Sequence, residues 1–266
     1  MINRRDLTLT GAAATLLAAT SVRAQGATPV EGKDFVRLPA PAPVAAPAGK
    51  VEVVEFFSYG CPHCYSFEPL LEPWIKKLPA DVAFRRVPAA FNASWEGLAK
   101  IYYALEATGQ VEAMHKRIFA AIHVQRQKLD KEADIAAFVK SAGGDDAKFL
   151  DAFKSFGVAT KLRQGKQLAE AYKIDGVPTL GIHGRWFTSG SLAGSHERAL
   201  QVADQLIQRA VLASEAERVG RPRMVRAYTD VIAEAIRTYR VEREPARQRS
   251  ALIRVSARSL AISPSR

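Results

Sequence analysis

The spacing of apolar positions changes several times along the 266-residue chain. Val51-Glu52-Val53-Val54-Glu55-Phe56-Phe57 is β-branched, aromatic and nearly continuous in apolar character, and is bounded by Gly49 and Gly60. That is the pattern of a central strand buried on both faces. Cys61-Pro62 then opens a helical stretch to about Leu78, with Pro62 in the first turn, where its missing N–H costs nothing. Pro69 and Pro73 imply a kink in that helix. Val82 to Val87 predicts a second strand. From Trp95 to about Ala171 the apolar residues recur at helical spacing, among them Ile101-Tyr102, Leu105, Ile118-Phe119, Ile122, Ile135 and Phe149-Leu150, with no strand signal between them. Gly176 to Ile182 and Arg185 to Thr188 read as a hairpin, and Ser195 to about Ala210 as a closing helix with Ser195 as its N-cap. The order predicts an α/β domain split by an inserted helical domain.

The ends differ in kind. Arg4 and Arg5, the apolar stretch Leu7 to Ala19, and Val22-Arg23-Ala24 form the three parts of a cleavable export signal over residues 1–24. The stretch of roughly 14 apolar-leaning residues is short of the ~20 that span a bilayer. The twin arginines suggest folded export, but Asp6-Leu7-Thr8 fits that pattern poorly, so general secretion is the reading. Residues 25–48 are a Pro/Ala-rich lead-in whose composition favours extended polyproline geometry. Residues 211–266 hold twelve Arg and no Lys, whereas the first 210 residues hold fourteen Lys, which marks a boundary. Val225, Tyr228, Ile232, Ile236 and Tyr239 within this extension can share one helix face. The formal net charge of +11 is concentrated in these two ends, so it gives no support to a nucleic-acid-binding core. The α/β domain then occupies residues 49–90 and 159–210, and the helical insertion residues 91–158.

Two cysteines are present, Cys61 and Cys64, so no disulfide framework is available. Cys61-Pro62-His63-Cys64 sits where a buried strand hands over to a helix, which brings residues i and i+3 within disulfide range. A thiolate at Cys61 would be stabilised by the helix N-terminus, by free backbone N–H groups and by protonated His63. As a structural staple the bridge would close so short a loop that it contributes only ~2 kcal/mol, against ~3 for a 15-residue loop. A zinc site needs a second ligand pair, and His115, His123, His183 and His196 lack ligand spacing. Haem attachment needs His after the second cysteine, where this chain has Tyr65. A redox-active pair without metal or cofactor is the remaining chemistry.

Glu55-Phe56-Phe57-Ser58-Tyr59-Gly60-Cys61-Pro62-His63-Cys64-Tyr65, together with Gly176-Val177-Pro178-Thr179, resembles the DsbA family of periplasmic disulfide oxidants. The likeness runs over about residues 49–210 and includes the helical insertion. It implies a thioredoxin-like fold, Cys61 as the exposed nucleophile, Cys64 as its buried partner, and Pro178 as a cis-proline facing the disulfide with the Val177 backbone free to pair with substrate. By sequence alone Val177-Pro178 reads as an ordinary trans turn. Glu55 is either an acid buried beside the sulfurs, for which the resemblance implies proton relay with Cys64, or a residue at the strand end turned to solvent. The resemblance further implies periplasmic thiol:disulfide oxidoreductase activity on reduced exported polypeptides, and reoxidation by a membrane quinone-linked, DsbB-like thiol oxidase. A disulfide isomerase or reductase, and a redox-inert peptide-binding module, are the alternatives.

Overall fold

The computed structural model describes residues 28–218; the expected signal and most of the Arg-rich extension, with its amphipathic pattern, lie outside them. The centre is strand β2 (Val51–Phe57), whose seven residues are all buried, including Glu52 and Glu55. Helix α1 (Pro62–Ile75) carries the chain over to β3 (Val82–Pro88), which pairs parallel with β2 from Val51↔Val82 to Phe57↔Pro88. Helices α2 (Ala93–Ala107), α3 (Val111–His123), α4 (Glu132–Ser141) and α5 (Asp146–Lys154) form the helical block, and α6 (Phe156–Ala171) leads back to the sheet. Strand β4 (Thr179–Ile182) pairs antiparallel with β2 and with β5 (Trp186–Ser189). The short helix α7 (Gly190–Ala193) and the long α8 (His196–Arg218) close the fold. The sheet order is β1-β5-β4-β2-β3, with β1 (Val36–Arg37) at one edge. This is a thioredoxin-like α/β fold with an inserted helical domain.

Local chemistry accounts for the element ends. The β4–β5 connection places His183 at φ 48° and Gly184 at φ 65°, and Arg185 N–H donates to the Ile182 carbonyl at 2.9 Å, a tight turn within the short loop between the paired Ile182 and Trp186. A side chain at Gly184 would also strike the Ala42 carbonyl oxygen at 2.3 Å. Ser195 Oγ accepts from Arg198 N–H at 3.1 Å, capping α8. Helix α1 runs through both Pro69 and Pro73.

Three limits read from the sequence shift. The lead-in, expected as extended polyproline rather than a packed element, packs on the domain: Phe35, Leu38 and Ala42 are buried, and Val36–Arg37 pairs antiparallel with β5. The prolines at 39, 41 and 43 lack N–H groups, but Leu38 N–H donates to the Arg185 carbonyl and Ala42 N–H to the Gly184 carbonyl, both at 2.8 Å. This covers the edge that β5 would otherwise expose. The boundary at 158 falls within the first turn of α6, whose Val158 packs with the helical block while Leu168 and Ala169 pack with Val54 and Phe56 of β2. The boundary at 210 falls inside α8, because Val211 still packs on the core formed with Leu206, Ile207 and Ala210.

Two outcomes follow. Gly181 lies against the Tyr172 ring, where a Cβ would sit 2.5 Å from ring carbon, and Tyr172 is held by Gly184 N–H at 2.8 Å. Gly181→Ala should therefore destabilise by about 1–3 kcal/mol in denaturant unfolding; an unchanged midpoint would contradict this packing. A chain ended after Arg218 should fold and oxidise a reduced peptide at the full chain's rate. Loss beyond about tenfold, ~1.4 kcal/mol, would show that the extension contributes to the site or the core.

Candidate functional site

Cys61 is the N-cap residue of α1 and Pro62 its first helical residue. The N-cap is where a helix presents N–H groups without intrahelical acceptors. The Cys61 thiol makes no cap hydrogen bond. It donates instead to the Val177 carbonyl at 3.4 Å. Once ionised, the sulfur becomes an acceptor, and the Cys64 thiol and the backbone N–H groups of Cys64 and His63 converge on it. The thiol of Cys64 is the largest cause that brings the Cys61 pKa from 9.0 down to about 6; burial opposes it, and the backbone donors and the charge of His63 add to it. Cys64 goes the other way. Burial pushes it far above the ordinary thiol value, and the neighbouring Cys61 sulfur adds to the shift. Both cysteines are unbridged in this structure.

Pro62 and His63 are exposed at the helix start, while Val177 is half-buried and Pro178 buried, with a cis bond between them. One expectation is corrected. Cys61 is not an exposed tip: it is 5% exposed against 0% for Cys64, because the Val177 segment lies over it. Both sulfurs are shielded from bulk solvent, and what separates them is the helix N-terminus, which serves Cys61, and the deeper burial of Cys64, which raises its pKa.

Glu55 is fully buried, not turned to solvent. Burial raises its pKa from 4.5 to about 8 despite the charge of Arg86 beside it. Arg86 Nε donates to Glu55 Oε2 at 2.8 Å, and Glu55 Oε1 has no hydrogen-bond partner. Because the folded-state value is raised, stability from this group is fully present below 4.5 and is lost as pH rises through about 8.

The sequence reading missed Arg86, Glu68, His115 and Tyr59. Arg86 Nη2 also donates to Glu68, at 3.1 Å, and His115 joins Glu68 at 3.2 Å and Tyr59 at 2.9 Å. Two signals were present. Arg85-Arg86 interrupts an otherwise apolar strand in the way Glu52 and Glu55 interrupt the first, and Glu68 lies one helical turn after Cys64. Glu52 is taken by Arg85 at 2.9 Å and by Ala45 N–H at 2.9 Å, a fully satisfied pair that leaves Glu55 as the acid with an open oxygen.

A thioredoxin-like sheet with a dithiol at a helix N-terminus, one sulfur easily ionised and the other not, defines a thiol:disulfide oxidoreductase. Known proteins agree with this class. A family model described as the DSBA-like thioredoxin domain matches residues 81–205. The thiol:disulfide interchange protein DsbA of Pseudomonas syringae pv. tomato is 44% identical over 207 residues, 76% of this chain and 96% of the relative. That of Azotobacter vinelandii is 45% identical over 200 residues, 74% of this chain and 92% of the relative. The crystal structure of Pseudomonas aeruginosa DsbA superposes with a TM-score of 0.67 at 41% identity, covering 70% of this chain and 97% of that one. The chain belongs to the DsbA family.

The electrostatics make a direct prediction. Thiolate absorbance near ~240 nm should titrate in the reduced protein with a midpoint at about 6, and this signal should vanish in Cys61→Ala. His63 is the smallest of the named causes, so His63→Leu should raise the midpoint by less than about one unit. A larger rise would move the main stabilisation from the Cys64 thiol and the backbone donors to the imidazole.

Proposed function

We propose that the chain is an oxidant of reduced exported polypeptides, acting in the periplasm after removal of residues 1–24. The asymmetry between the two sulfurs carries this reading. The folded-state value of Cys61 is depressed, so its stabilisation of the reduced protein is fully present above 9.0 and is lost as pH falls through about 6. At pH 7 a thiol at about 6 rather than 9.0 stabilises the reduced form about tenfold. That is ~1.4 kcal/mol, or ~30 mV toward a more oxidising couple. A reductase carries less of this bias and so keeps a more stable disulfide.

The exchange begins with a substrate thiolate attacking the Cys61 sulfur of the oxidised protein. The Cys61–Cys64 bond breaks as the substrate–Cys61 disulfide forms, and Cys64 leaves with the electron pair. Burial makes that charge costly, and Glu55, held at about 8 and so mainly protonated at neutral pH, supplies the proton. A second substrate thiolate then attacks the substrate sulfur of the mixed disulfide, and Cys61 leaves as a stabilised thiolate. The substrate gains one disulfide and the protein holds two reduced sulfurs. His63 and Pro62 shape the helix start, and the half-buried Val177 offers its backbone to an extended substrate strand beside Cys61. A membrane quinone-linked thiol oxidase of the DsbB kind restores the disulfide.

The test separates the roles of the sulfurs. Cys64→Ala, reacted with a substrate disulfide, should accumulate a mixed disulfide on non-reducing gels, whereas Cys61→Ala should trap little. Equal trapping by both variants would contradict the assignment. Glu55→Gln should slow formation of the mixed disulfide from oxidised protein at neutral pH by about 10²-fold, the lower end of the range for a positioned proton donor. An unchanged rate would remove Glu55 from the mechanism.

A further inference from the structure

The buried charges do not end at Arg86. Glu68, the second carboxylate on Arg86, also faces His115 Nε2 at 3.2 Å, and His115 Nδ1 faces the Tyr59 hydroxyl at 2.9 Å. Tyr59, Glu68 and His115 are all buried. The proton positions follow from the partners. An ionised carboxylate only accepts, so Nε2 carries the imidazole proton; a neutral imidazole then accepts at Nδ1, and Tyr59 O–H donates. Burial holds His115 below its ordinary value and Tyr59 above its own, which keeps both neutral. Burial pushes Glu68 up, but the His115 hydrogen bond and the Arg86 charge outweigh it and hold Glu68 below its ordinary value. The ring is fixed by edge contacts to Phe57 at 5.3 Å and Phe119 at 5.1 Å. The far end of the chain reaches the reactive turn, since Tyr59 stands two residues before Cys61 and its carbonyl accepts from His123 at 2.8 Å.

We infer that His115 is a positioning residue for dithiol exchange: fixed by the Tyr59 hydroxyl, its Nε2–H holds Glu68 on the terminal nitrogen of Arg86. Arg86 then meets Glu55 through Nε alone, and Glu55 Oε1 stays open for the proton exchanged with Cys64. The inference rests on the Glu55 role proposed above. Without the His115 donor, burial drives Glu68 toward its neutral form, Arg86 gives its full charge to Glu55, and Glu55 ionises at lower pH. The groups facing His115 are Glu68 and Glu72 of α1, Arg86 of β3, Tyr102 of α2 and Tyr59, with Lys116 paired to Glu72. Those facing Glu55 are Arg86, Glu68, Cys64, Tyr59 and Tyr102.

Carbon-13 NMR of the glutamate carboxyls in the reduced full-length protein tests this, with Glu55→Gln assigning the resonance that titrates at about 8. His115→Phe keeps the ring contacts and removes both hydrogen bonds; it should lower the Glu55 midpoint by about one unit. His115→Gln, which keeps a donor toward Glu68, should restore most of that shift. The Cys61 thiolate titration should be the same in all three proteins. Tyr59→Phe removes only the hydroxyl and should move the midpoint the same way by less, and it carries the test if His115→Phe does not fold. An unmoved or raised midpoint in the foldable variants overturns the positioning role, as does an equal shift in His115→Gln, which would trace the effect to packing. If wild-type protein has no carboxyl near about 8 that Glu55→Gln removes, the Glu55 reading fails and this role fails with it.

Discussion

A sulfur stands where helix α1 lacks an acceptor, and the chemistry of the protein depends on that placement. Serine, threonine, aspartate and asparagine are the usual N-cap residues because their oxygens accept from the first-turn N–H groups. Cys61 in this position can accept only as a thiolate, so the helix end favours ionisation directly. The disulfide removes that acceptor and leaves the N–H groups without it. Reduction is thereby favoured locally, and the bridge is reactive for the same reason that the helix start is stable when the bridge is open.

The rest of the fold holds this arrangement. β2, buried along its whole length, points straight into the Cys61 turn, and the parallel register with β3 sets Glu55 opposite Arg86. Burying two carboxylates, a guanidinium and an imidazole in one cluster is costly unless the groups satisfy one another. Arg86 is shared by Glu55 and Glu68, and His115 supplies the donor that one guanidinium cannot. One carboxylate oxygen is left without a partner, on Glu55. A cluster built for stability alone would close that gap, and the proton exchange proposed for Glu55 is what an open oxygen serves.

Much of this was legible in sequence because it is local. The run 51–57, the helix opening at Pro62, the hairpin and the Ser195 cap depend on neighbours within a turn or two, and each lies within a few residues of its expected place. Strand β1 was not legible: it is two residues long, sits in a Pro/Ala-rich stretch, and pairs Val36 with Phe187 across the whole chain. The extended network was hidden for a related reason. Glu55 meets Arg86 across a sheet register, and Tyr59 and Glu68 meet His115 only when α3 packs on α1. Histidines scattered in sequence offered no metal spacing, but a buried histidine between a carboxylate and a phenol needs no spacing. The low exposure of Cys61 likewise follows from the Val177 segment, which arrives more than a hundred residues later.

The central claim is that ionisation of Cys61 at the helix N-cap makes the disulfide oxidising, and the pH dependence of its equilibrium with glutathione tests it most directly. Below the Cys61 pKa reduction takes up two protons, and above it one, so the slope of the equilibrium against pH should change near about 6. The account predicts that break in the wild-type protein. An equilibrium independent of pH from about pH 4 to 8, where model thiols remain protonated, would mean that Cys61 is no thiolate in this range and would contradict the account.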